Sequence, residues 1–242
     1  MDTLDAQSPI PKYYQLKEII RGRIESGELE KGELIPPERE LCEMYGISRM
    51  TARQAVMELV NEGLLYREQG KGTFVAGKKI QQETARLTSF TQDMRERGME
   101  ASSVVLEFEV ESAGPVVSRM LRIAPGAKII RLRRLRNADR EPMALETSHL
   151  LYRVAKGVLG VDLASRSLYE ELEKAGVPIL RADQTYEAVL VNESEAGHLG
   201  LSPGSPGILI ERVTFDDSGK PFEYVKSVYR GDRYKIRSSL GL

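Results

Sequence analysis

Apolar residues recur at helical spacing through the first quarter of the chain. Leu16, Ile19, Ile20 and Ile24 predict a helix over residues 12–26, with Gly27 suited to its C-terminal end. A second helix opens at Pro36-Pro37-Glu38, where proline fits a first turn and Glu38 meets the positive helix end. Leu41, Met44 and Tyr45 give it an apolar face, and Gly46 stops it. Ser48 is a good N-cap. The helix behind it carries Ala52, Ala55, Val56, Leu59 and Val60, a stripe that faces the core, while Arg49, Arg53 and Gln54 fall off the stripe near the helix start. After Gly63 the pattern turns to short extended runs. Leu64-Leu65-Tyr66 and Thr73-Phe74-Val75 flank Gln69-Gly70-Lys71-Gly72, which reads as a tight turn with Lys71 at its tip.

Residues 76–83 are polar and without period, and read as a linker. From residue 84 strands and helices alternate. Short helices are predicted in "LTSFTQDMRERGM", in "AGPVVSRMLRI" before Pro125-Gly126, and in "SLYEELEKAG", closed by Gly176. Strands are predicted in "SVVLEFEVE", on both sides of a turn at residues 137–142, in "DQTYEAVLV", and twice in "GILIERVTFDDSGKPFEYVKSVYR". The two strand–turn–strand units are alike. Each has arginine in the incoming strand, Asp in the turn, a proline (Pro142, Pro221) before the outgoing strand and a glutamate soon after it. A weak internal duplication forming one antiparallel sheet with helices packed on it is the expectation. The fold class is therefore α+β in two domains, 1–75 and 84–242, joined by the linker at 76–83.

Composition narrows the function. The 242 residues leave room for two cores. No apolar run approaches the roughly 18 residues of a membrane helix, and the acidic, polar start is not a signal peptide. Cys42 is the single cysteine; inside a helix it reads as a small core residue. A cytoplasmic protein without membrane contact or cofactor is expected. His149 and His198 lie far apart, which argues against a zinc site; they read as a strand and a helix histidine. The net charge of −1 argues against indiscriminate coating of nucleic acid. Between Ser48 and Lys78, however, five basic residues (Arg49, Arg53, Arg67, Lys71, Lys78) outnumber three acidic ones (Glu58, Glu62, Glu68).

Two helices joined by the short turn Gly46-Ile47, the second with arginine and amide groups at its N-terminus, form a helix-turn-helix pattern. The first turns of such a helix reach base edges in the major groove, where arginine pairs with guanine and glutamine with adenine. The basic hairpin would lie along the minor groove as a wing, with Lys71 against phosphate. The competing reading is a three-helix module for protein contacts; turn, cap, stripe, arginines and wing occurring together weigh against it. In the second domain, Arg134 and Arg136 point the same way on one strand, and not all four arginines of that strand can converge. Glu223, Val225, Ser227 and Tyr229 share one face of the last hairpin. Two readings of the arginines stand open. One is a solvent-facing strand paired to Glu146 and Glu223. The other is an anion pocket, to which Ser89, Thr91, Ser167 and Tyr169 would add hydroxyls.

The run "PKYYQLKEIIRGRIESGELEKGELIPPERELCEMYGISRMTARQAVMELVNEGLLYREQGKGTFV" resembles the winged helix-turn-helix of GntR-family bacterial transcription regulators over residues 11–75, most specifically in "PPERELCEMYGISRMTARQA" and "GKGTF". The resemblance implies DNA contacts from Arg39, Arg49, Arg53 and Gly70; the expected interface also includes Ser48, Thr51, Gln54 and Lys71. Residues 84–240 resemble the UTRA effector domain of the HutC subfamily, whose fold is shared with chorismate lyase. "LTSFTQDM", "RLRNADREPMALET", "SLYEELEKAG" and "FEYVKSVYRGDRY" carry that likeness, which is strongest to repressors of N-acetylglucosamine use. It implies effector contacts from Phe90, Thr91, Arg134, Arg136, Glu146, Ser167, Tyr169, Glu223 and Tyr229. Arg134, Arg136, Thr91, Ser167 and Tyr169 would hold a phosphate, and Glu146 and Glu223 would accept hydrogen bonds from sugar hydroxyls. The same resemblance implies a homodimer on a near-palindromic DNA operator, released by N-acetylglucosamine 6-phosphate or glucosamine 6-phosphate. Subfamily members that sense urocanate or other sugar phosphates share much of the pattern. The alternative of another class is a lyase-like enzyme using Glu146 and Glu223 as an acid–base pair.

Overall fold

Helices α1 (Lys12–Ser26), α2 (Glu38–Tyr45) and α3 (Arg49–Asn61) and the hairpin of β1 (Leu65–Glu68) and β2 (Gly72–Val75) make up the N-terminal unit. The computed structural model describes residues 3–240 apart from 6, 69, 77–78 and 84–85. Gln69 of the wing turn, Gly77 and Lys78 of the expected linker, residues 84–85 at the start of the expected second domain and the side chain of Glu68 lie outside the described residues. The chain divides into two compact units, Met1–Ile80 and Gln81–Leu242.

Local chemistry explains the first unit. Gly27 and Gly46 end α1 and α2 in the left-handed conformation, φ 82° and 61°. Ser48 caps α3 by accepting a hydrogen bond from the Thr51 amide at 3.1 Å. Its small residues Ala52 and Ala55 let α1 pack closely, and Leu16, Ile20, Leu41, Val56, Leu59, Leu65 and Val75 complete the core. Lys17 ties α1 to α3 through Glu58 at 2.9 Å and Glu62 at 3.3 Å. Met44 departs from expectation: it is 47% exposed. In a helix of only eight residues the inward side narrows to Leu41, with Cys42 and Tyr45 at its margins.

The second unit holds β3 (Ile80–Glu83), α4 (Phe90–Glu96), β4 (Ala101–Ser112), α5 (Pro115–Leu121), β5 (Lys128–Ala138), β6 (Glu141–Leu151) and α6 (Tyr152–Ala155), then α7 (Leu168–Lys174), β7 (Arg181–Leu190), α8 (Glu193–Leu199), β8 (Pro206–Phe215), β9 (Pro221–Arg230) and β10 (Tyr234–Arg237). Six strands form one antiparallel sheet in the order β4-β5-β6-β9-β8-β7. The two alike hairpins are thus neighbours, joined where β6 pairs with β9. The register sets Arg134 beside Glu146, Glu146 beside Ser227, Ser148 beside Val225, and Glu223 beside Thr214. With side chains alternating, one face gathers Arg134, Arg136, Glu146, Arg212, Glu223 and Tyr229. Arg131 and Arg133 take the other face, paired to Glu109 at 2.9 Å and Glu107 at 3.0 Å. The core of Leu121, Ile129, Ile130, Leu132, Leu150, Leu168, Leu172 and Phe222 anchors one end of the sheet, and α8 packs over Leu145 and Val228.

Two departures are instructive. The turn expected at residues 137–142 is only Asp139-Arg140, both with positive φ (49° and 66°), because this two-residue geometry matches the twist of the long strands it joins. The linker expected to run to residue 83 instead ends in β3, which pairs with β10 in a separate two-stranded ribbon. Ile80 and Gln82 turn inward, an alternation too short to register in a polar sequence.

Candidate functional site

Two surfaces collect the candidate residues, one in each unit. On α3, Arg49, Arg53 and Gln54 are exposed on the face opposite the core stripe. Met50, which the sequence reading passed over, lies among them 73% exposed. The hydroxyls of Ser48 and Thr51 hydrogen-bond each other at 2.8 Å within the helix cap. Arg39 is exposed and pairs with Glu43 at 3.1 Å, a surface pair weak enough for a phosphate to displace. Arg39, Gly70 and Lys71 border one groove, and Arg67 reaches Glu38 at 2.6 Å across it. Gly70 has φ 76°, and Gly72 has φ 130° with its backbone against Leu34, so this hairpin turn is built on glycine.

In the second unit the sheet face described above floors a cavity of about 610 Å³, mouth included, walled by α4, α7 and the β3–β10 ribbon. Of the nine expected effector residues, Phe90, Arg134, Arg136, Glu146, Ser167, Tyr169, Glu223 and Tyr229 line it. Thr91 stands behind, accepting a hydrogen bond from Arg136 at 3.1 Å. Arg134 and Arg136 are 3% and 2% exposed, which excludes the solvent-facing strand. Arg134 is paired with Glu146. Arg136 lies over the Phe90 ring at 4.6 Å. Nε and Nη1 of both guanidiniums are buried without a hydrogen-bond partner. Burial and the like charge of Arg134 lower the Arg136 pKa to about 10, so Arg136 remains a cation at neutral pH. Burying four such donors unpaired is costly unless an anion fills the gap.

The two carboxylates differ. Burial pushes Glu146 up, but Arg134 and Arg136 together outweigh it and hold it below the ordinary value. Glu223 is raised, because burial exceeds the help of Tyr169 Oη at 2.8 Å and Thr214 Oγ1 at 2.9 Å, both donating to it. The hydroxyls at the rim are helix caps: Ser89 receives the Gln92 amide, and Ser167 the Glu170 amide. Gln82, Asp93, Ser148, Arg212 and Tyr234 also line the cavity without having been expected there, together with Ser227, which was expected on this face but not as a contact. For Arg212 the signal was there: alternation along β8 sets it beside Val225, on the pocket face. For Gln82 and Tyr234 there was none, since neither short strand was legible.

A winged helix-turn-helix followed by a sheet-floored pocket with two buried arginines is the arrangement of a ligand-responsive DNA-binding regulator. Comparison with known families makes it definite: residues 12–75 match the model of bacterial regulatory proteins of the gntR family and residues 96–235 that of the UTRA domain, and the chain belongs to this family. It is 43% identical over 96% of its length, and 95% of the relative's, to the HTH-type transcriptional repressor NagR of Bacillus subtilis. It is 30% identical, over 93% and 94%, to the mannosyl-D-glycerate system repressor MngR of Escherichia coli. The crystal structure of PhnF from Mycobacterium smegmatis superposes with a TM-score of 0.66 at 28% identity, over 95% of this chain and 98% of that one. The chain is accordingly a transcriptional repressor of the GntR/HutC class, a family of regulators that bind operator DNA and small effectors and are not enzymes. Among the described residues, no helix is long and apolar enough to cross a membrane, and no cluster of ligating side chains fits a metal ion.

Proposed function

We propose that this repressor senses a phosphorylated amino sugar, N-acetylglucosamine 6-phosphate or glucosamine 6-phosphate, and releases its operator when the sugar binds. The observation that carries the reading is the set of four buried guanidinium nitrogens without a hydrogen-bond partner, Nε and Nη1 of Arg134 and Arg136, a ready fork for phosphate oxygens. Thr91, Ser167 and Tyr169 add hydroxyls, and Phe90 backs the Arg136 guanidinium. Glu146, Glu223 and Tyr229 on the same floor supply polar partners for sugar hydroxyls. Similarity to NagR supports an amino-sugar effector.

At the DNA, Arg49, Arg53 and Gln54 read base edges, Ser48 and Thr51 fix the helix end, and Arg39, Gly70 and Lys71 hold the backbone from the wing side. Residues 1–75 act as reader, 76–83 as connection and 84–242 as sensor and dimerisation domain. A homodimer sets two readers on a near-palindromic operator. Calorimetric titration with both sugar phosphates and with unphosphorylated N-acetylglucosamine is the test. Micromolar binding that requires the phosphate is expected. Absence of binding by either sugar phosphate, with binding of a carboxylate such as urocanate, overturns the sugar assignment.

A further inference from the structure

Gln82 is buried, at 8% exposure, and its side-chain oxygen has no hydrogen-bond partner. It lines the same cavity as Arg134 and Arg136. It sits on β3, which forms the last four residues of the expected linker and is the first regular element after the wing, and β3 is held by a single neighbour, the four-residue β10. The partner strand contributes Tyr234, which packs edge-on against Tyr229 of the pocket floor at 4.5 Å. The carbonyl of a buried amide costs stability while it lacks a donor. With ligand bound, the arginines are taken by the anion and cannot serve as its partners; what remains is an N–H or O–H on the neutral part of the effector.

We infer that Gln82 accepts a hydrogen bond from the amide or a hydroxyl of the bound sugar, and that this bond couples the pocket to the connection with the DNA reader. Phosphate capture by the arginines then gives affinity, and Gln82 gives response. A ligand shifts a conformational equilibrium only through contacts that differ between the two states. A contact made on a short two-stranded ribbon at the end of the linker is a candidate for such a contact, because the ribbon is a sheet of its own, separate from the six-stranded one. The inference rests on the sugar-phosphate reading of the pocket.

The test uses the full chain and a duplex selected by the wild-type protein from a random pool. The affinity for N-acetylglucosamine 6-phosphate is measured on the free protein and on the protein–duplex complex. The ratio of the two is the coupling, and it must equal the loss of duplex affinity caused by the sugar. Gln82→Met keeps the side-chain length and removes the acceptor. It is expected to lower the coupling ratio about fivefold or more, with duplex affinity in the absence of sugar, and the requirement for phosphate, unchanged. A coupling ratio equal to that of the wild type overturns the inference. Hydrogen exchange on the unmutated protein gives a second reading: slower exchange of the β3 and β10 amides on adding the sugar is expected, and unchanged exchange there rejects the idea. Failure of the wild type to bind the sugar phosphate at all removes the effector reading, and this inference with it.

Discussion

At the scale of the residue, the pocket is a place where stability has been traded for a ligand. Among the described residues no carboxylate pairs with Arg136, which donates to Thr91 Oγ1 and lies over the Phe90 ring. Burial and Arg134 work against its charge. Arg136→Met is therefore expected to raise the melting temperature of the ligand-free protein while weakening sugar-phosphate binding at least tenfold, read by calorimetry beside a thermal scan. Arg134 differs, since its removal strands the buried Glu146 and should destabilise the chain. Glu223 allows a test with a definite sign. Its folded pKa is raised above the ordinary 4.5, so the folded state favours the protonated form. Below 4.5 both states are protonated and the carboxyl costs nothing; as pH climbs from there through the folded pKa, stability drains away. Glu223→Gln stays neutral throughout. The variant should match the wild type in melting temperature at a pH below 4.5 and exceed it by a margin that grows as pH rises and levels off once the folded pKa is passed; a margin independent of pH refutes this account. Period-two alternation was enough to set Arg134 with Arg136 and Glu223 with Tyr229. Which residue of another strand lies opposite each was not legible, because register between distant hairpins is set by packing and not by local pattern.

At the scale of the element, the reader is the part most openly written in the sequence. Three helices, their caps and the wing follow from apolar spacing, serine and glycine, since each is decided within a few residues. Ser48→Ala removes an observed cap at 3.1 Å from Thr51 and should cost about 1 kcal/mol of stability in that unit, measured by denaturant unfolding. Gly72→Ala tests the wing: its φ of 130° and the 2.5 Å approach of a new Cβ to Leu34 Cδ1 should cost on the order of 1–3 kcal/mol. If Gly72→Ala instead left stability and operator binding intact, the hairpin would not depend on that conformation. The ribbon of β3 and β10 is the opposite case. Four-residue strands separated by some 150 positions offer no period long enough to read, and only the completed second unit reveals that Gln82 and Tyr234 belong to the pocket.

At the scale of the whole molecule, the two units divide affinity for DNA from response to ligand, so their lesions should separate. Arg53 is exposed on the reader and Arg136 is enclosed in the sensor. Arg53→Ala should weaken binding to a selected duplex by about 1–3 kcal/mol and relax base preference, while calorimetry finds the sugar-phosphate affinity of the free protein unaltered. Arg136→Met should do the reverse: full duplex affinity and no release at sugar concentrations that free the wild type. Lys71→Ala belongs to neither lesion, since a phosphate contact lowers affinity evenly across sequences and flattens the dependence on salt by about one counterion. Reciprocity makes the pair of lesions decisive. If the sugar acts by withdrawing the DNA-competent arrangement and Arg53 contributes equally to duplex binding with and without sugar, Arg53→Ala leaves the fold-change in duplex affinity caused by saturating sugar as it was, even though duplex affinity has fallen in both conditions. A fold-change that shrinks with Arg53→Ala would mean that the reader's contacts themselves carry the allosteric difference, and the switch would then have to be sought at the protein–DNA interface and not in the pocket.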